Sequence, residues 1–160
     1  MTVYVKVVMA ALVANGLLAG VFFVFACAVS PALGRLDDRA YVESFRSINT
    51  TILNGWFLAV FLVAPAAAIV AAVLGGVFHH PSLWWVALAA VCAVLSFGIT
   101  AAANVPLNDA LGTALTSTDA QWHEARAAFE TSWNRWNVAR AITSVGALTL
   151  LAVAATRSAS

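Results

Sequence analysis

The chain has 160 residues, of which 62% are hydrophobic and 9% charged, whereas a soluble domain carries roughly 25% charged residues, so water is not its main solvent. A net charge of +1 and a single lysine, Lys6, give no electrostatic footing for nucleic acid. The apolar stretches approach the roughly 20 residues that a helix needs to cross a bilayer. They imply an all-α fold: one polytopic membrane four-helix bundle over residues 1–160, with two short amphipathic loop helices.

The first predicted helix covers about 5–33. Lys6 before an apolar run, with Ala26, Cys27 and Ala28 beyond it, has the outline of a signal peptide. The run from Val7 to Val29 is longer than the roughly 7 to 15 residues of a signal core, so the helix is expected to be retained. Cys27 and Cys92 lie in separate apolar spans without paired spacing and read as small packing residues. Gly16 and Gly20 form a small-xxx-small face that admits another helix at close range, including one from a second copy in a homo-oligomer. Pro31 closes this span. Residues of about 37–49 carry Tyr41, Phe45 and Ile48 at helical spacing with Asp38, Glu43 and Arg46 on other faces, the pattern of an interfacial helix.

Asn54 and Trp56 lead into the second span, about 52–77, and a short turn with Gly75, Gly76, His79, His80 and Pro81 follows. Trp84 and Trp85 open the third span, about 83–105, at the level of an aromatic belt. Ser96, Thr100, Asn104 and Asn108 recur every four residues along it, and such a stripe must face the bundle interior. Pro106 frees backbone groups at its end. Thr118 and Asp119 then start an amphipathic helix of about 119–136, striped with Trp122, Phe129, Trp133 and Trp136, which runs with little or no break into the fourth span, about 137–156. The first and second halves thus share an order of span, amphipathic segment and span, without matching motifs. Arg35, Arg39, Arg46, Arg126 and Arg135 lie in the two large loops, while Lys6 and Arg157 lie elsewhere. The positive-inside bias therefore puts both loops in the cytoplasm of a multi-pass cell-membrane protein.

Polar groups at membrane depth are costly and are the first candidates for function. Asn104, Asn108, Asn137 and Arg140 fall on interior faces near the loop side and are the candidate catalytic set. Either they serve that role or they join helices, at roughly 0.6 kcal/mol per average bond. Arg140 either meets acceptors such as Asn104, Asn108 or Asp109, or snorkels to the interface. Trp122, Phe129, Trp133, Trp136 and Asn54 are the candidate ligand-binding residues for a small hydrophobic or aromatic molecule, the alternative for the stripe being packing or interfacial anchoring. His79, His80 and His123 do not make a metal set, and no phosphate-loop, dinucleotide or nucleophile-elbow motif occurs. No metal or other cofactor is expected.

Asn104 to Asn108, followed by Trp122, Phe129, Trp133, Trp136, Asn137 and Arg140, resembles the four-helix membrane family of anthrone oxygenases, also known as a domain of unknown function. Gly20 to Phe25 and Ser30 to Leu33 fit the same pattern. The resemblance implies oxidation of an anthrone to an anthraquinone by dioxygen without metal or flavin. Trp122, Trp133 and Trp136 suit ring binding, and Arg140 with the asparagines suits an oxyanion. Asp109 and His123 are the nearest candidates for a base. The alternative function is a non-enzymatic helper subunit or a carrier for lipophilic molecules.

Overall fold

The computed structural model describes residues 2–159, with side chains through Arg157. Among the described residues there is no strand. Five helices follow one another: α1 (Val3–Leu33), α2 (Asp38–Ile52), α3 (Gly55–Val77), α4 (Leu83–Thr113) and α5 (Asp119–Ala159). All but α2 are long and apolar enough to cross a membrane. Each packs on its chain neighbours and α5 closes back on α1, which makes an up-down-up-down ring.

The end of the bundle away from the large loops is built from small side chains. Val8, Ala11, Ala68, Ala71, Val86, Ala89, Ala93, Ala147 and Leu151 are buried there, and such residues let helices approach closely where lipid supplies no hydrophobic drive. Tyr4 and His80 both hydrogen-bond to the wholly buried Ser82 Oγ, at 2.6 and 2.8 Å, and so fasten the α3–α4 turn to α1. Midway, Asn15 donates to the Ala11 and Ala64 carbonyls and ties α1 to α3. Gly16 faces Leu148 of α5 inside the bundle, whereas Gly20 faces outward.

Two helices change register on the loop side. In α1 the turn Phe25–Val29, and in α4 the turn Thr100–Asn104, are widened to π geometry, closed by the N–H groups of Ser30 and Val105 on the carbonyls of Phe25 and Thr100. A proline stands two residues beyond each turn, Pro31 and Pro106. A proline ring ordinarily collides with the carbonyl four residues back, and the wider turn carries that carbonyl aside. Helix α4 therefore continues to Thr113 instead of ending near 105 as the sequence suggests. The same turn keeps the polar stripe in line: steps of four residues drift by about 40° each on an α-helix, and one wide turn takes up the excess.

The amphipathic segments form a cap over this end. Asp37 caps α2, which buries Tyr41, Val42 and Phe45 against Leu111, Ala125, Phe129 and Trp133. Thr118 accepts from the Gln121 N–H and Gln121 accepts from the Ser117 N–H, a paired cap at the start of α5. The segments expected at 119–136 and 137–156 are one uninterrupted helix of 41 residues, about 60 Å long and twice the bilayer core.

Candidate functional site

Arg140 lies where the span half of α5 meets its cap half. It is buried, with 7% of its surface exposed. Its Nε donates to Asn137 Oδ1 at 3.1 Å, and its guanidinium lies 4.2 Å from the Phe22 ring centre and 5.1 Å from that of Trp133. Desolvated ring contacts of this kind are worth about 2 kcal/mol. No carboxylate pairs with Arg140 among the described residues. Its two terminal nitrogens donate to no group in the protein among those residues, so they are free to take an acceptor from outside the chain.

The neighbouring asparagines are fixed by α1, α4 and α5 together. Asn137 Nδ2 donates to the Phe22 carbonyl at 3.3 Å. Trp133 Nε1 donates to Asn108 Oδ1 at 2.8 Å, and Asn104 Nδ2 donates to the Trp133 carbonyl at 3.4 Å. Asn104 Oδ1 is buried without a partner. Trp133 thus links the α4 asparagines to Arg140, and the four polar residues form one cluster at a single level of the bundle. Deeper on the same face, Ser96 bonds to Ser144 at 2.7 Å.

Arg140, Trp133, Asn108 and Thr100 border a cavity of about 150 Å³, whose other walls include Phe22, Phe57 and Phe61. Ile48, Asn49 and Ile52, in the last turns of α2, roof it. At its rim Leu53, Leu58 and Val105 are 62, 40 and 41% exposed, so the cavity opens sideways where α2 meets α3. Among the described residues no Asp, Glu or His lines it.

The remaining candidates are elsewhere. Phe129 is buried in the cap core, and Trp122 sits there between Arg39 and Arg46, 5.8 Å from each. Trp136 is on the outer face of α5, 45% exposed. Asn54 is exposed and fully engaged as the cap of α3, accepting from the Phe57 N–H and donating to the Thr51 carbonyl. Asp109 is exposed, and His123 bonds to Asp38 at 2.9 Å on the cap surface. Among the described residues no three His, Cys, Asp or Glu side chains gather into a metal-sized group. Phe57 and Phe61 carry no signal of their own in the sequence, and Phe22 entered only within the Gly20 to Phe25 resemblance, because apolar residues facing a cavity and facing lipid look alike.

Four helices long and apolar enough to cross a membrane, around a buried arginine and an apolar hollow, are the architecture of a multi-pass membrane protein with a polar centre toward the capped end of its bundle. A family model described as Anthrone oxygenase matches residues 54–150, and the chain belongs to that family. No curated protein and no solved structure matches it.

Proposed function

We propose that the protein binds a small, flat aromatic molecule with an ionisable oxygen in this cavity and oxidises an anthrone-type methylene with dioxygen. The observation that carries the reading is Arg140, a buried cation with free donors facing an apolar hollow. Leaving such a charge without a counter-ion costs several kcal/mol, and an oxyanion beside it removes that penalty. An anthrone that loses a methylene proton becomes an aromatic enolate, and Arg140 stabilises the oxygen on which charge develops. The enolate passes an electron to dioxygen, the radical pair joins as a peroxide, and loss of water leaves the quinone. The balance is anthrone plus dioxygen to anthraquinone plus water, with no further reductant.

A cavity of about 150 Å³ holds one benzene-sized ring. The carbonyl-bearing edge of the central ring of a three-ring molecule therefore lies against Arg140, and an outer ring reaches the rim at Leu53, Leu58 and Val105, where a lipophilic substrate enters from the bilayer. Protein in nanodiscs, given anthrone in aerated buffer, should form anthraquinone faster than empty nanodiscs do. Anthraquinone binding without rate enhancement would overturn the oxygenase reading in favour of a carrier or helper.

The arginine excess supports a cytoplasmic position for the cap. In a chain lacking both cysteines, Pro81→Cys should be labelled from outside intact cells and Leu115→Cys protected. The reverse pattern would invert the orientation.

A further inference from the structure

A second hollow lies behind Asn137. This cleft of about 380 Å³ separates the end of α1 from the cap half of α5, and Ser30, Gly34, Arg35, Glu130, Asn134 and Asn137 border it. Glu130, Asn134 and Asn137 stand four and three residues apart on one face of α5, and Arg140 follows three residues later. Ser30 Oγ and Asn134 Oδ1 are buried and have no partner among the described residues. Buried polar atoms in a roomy polar cleft are satisfied by water. Asn137 stands between the two hollows, since it borders the cleft while its Oδ1 accepts from Arg140, which borders the cavity.

We infer that the cleft is a water-filled proton route from the Arg140 cavity to the aqueous cap, with Glu130 as the proton acceptor at its outer end. This rests on the oxidation proposed above and supplies the base that the cavity walls lack. The first methylene proton leaves through cleft water to the Glu130 carboxylate. Dioxygen forms a bond to the enolate carbon, and the resulting peroxide anion regains a proton from Glu130 by the same route. The O–O bond then breaks as the second methylene proton departs, hydroxide and that proton make the product water, and Glu130 ends as it began. Around Glu130 the charged groups are Arg126, whose Nε lies 2.7 Å from its carboxylate, Arg35 at the cleft mouth, and Asp38 on the far side of Arg126.

Two measurements separate the route from the reaction. In nanodiscs, and in a chain lacking Cys27 and Cys92, Asn134→Cys or Ser30→Cys should react with a cationic, membrane-impermeant methanethiosulfonate at least about tenfold faster than the lipid-facing Val145→Cys, because the reagent needs a hydrated thiolate. Equal rates overturn the water route whether or not the protein oxidises anything. With anthrone as substrate, Asn134→Leu fills the cleft and leaves the Glu130–Arg126 pair intact. It should lower kcat by about 10²-fold with KM unchanged, as should Glu130→Gln. Unchanged kcat in both overturns the role of Glu130. Absence of anthrone oxidation by the unsubstituted protein overturns the reaction and the acceptor role together, while the labelling still decides the water route.

Discussion

Arg126 and Arg140 stand on nearly the same face of α5, 14 residues and about 21 Å apart, and their surroundings are opposites. Arg126, in the cap, donates to the carbonyls of Gly34 and Leu36, to Asp38, and twice to Glu130. Two carboxylates balance its charge, and the result is a staple that holds the end of α1 and the start of α2 to α5. Arg140 has one amide and two ring faces, and its terminal donors face a hollow. The contrast teaches that a charged residue announces structure when its neighbours complete its coordination, and a binding role when they leave it open at depth.

The largest expected effect follows from breaking the open site. Arg140→Lys keeps the charge but not the planar fork of donors, so it should fold normally and lose about 10²-fold in anthrone turnover. A full rate in that variant would reduce Arg140 to packing. Arg140→Ala should lower turnover equally and also cost about 1 to 3 kcal/mol in detergent, since Asn137 Oδ1 loses its donor.

At the closed site the expectation reverses. Arg126→Ala should cost about 2 kcal/mol of thermal stability in detergent, because the hydrogen bonds of a mostly buried guanidinium are lost together. Anthraquinone binding per folded molecule should be little changed, and selective loss of binding at normal stability would contradict the division between the two arginines.

The smallest effect concerns pH at the cap. Hydrogen bonding from His123, and secondarily from Arg126, holds the Asp38 carboxyl below its ordinary value of 3.8. A carboxylate depressed in this way stabilises the fold above that value, and the contribution disappears as pH falls through the lower, folded-state value. Unfolding in detergent should therefore ease below about pH 3.8, and Asp38→Asn should flatten that acid limb. An unaltered limb would remove Asp38 from the staple.

The four spans were legible because bilayer thickness writes a length and a hydropathy directly into sequence. The gathering of Asn104, Asn108, Asn137 and Arg140 was legible because helical spacing fixes a face and the loop lengths fix a level. Trp136 shows where spacing runs short: it lies about 60° from Trp133 around α5, enough to turn it from the interior to the outer surface. Glu130 and Asn134 were hidden in a segment whose charges all look solvated until α1 is folded against it. The π-turns were illegible too, since a proline signals a broken helix as readily as a widened one.

Those wide turns have a consequence for insertions and deletions. Each holds one residue more than an α-helix needs for the same rotation, so removing a single alanine between Thr100 and Asn104 would close the turn to α geometry and leave everything beyond it nearly in place. Asn108 would then stay with Trp133 and the cavity, whereas one residue lost from the regular helix between Leu83 and Ile99 would rotate the site relative to the start of α4 by about 100°. The same tolerance operates in α1, where one residue lost from Phe25–Val29 would leave Ser30 facing the cleft.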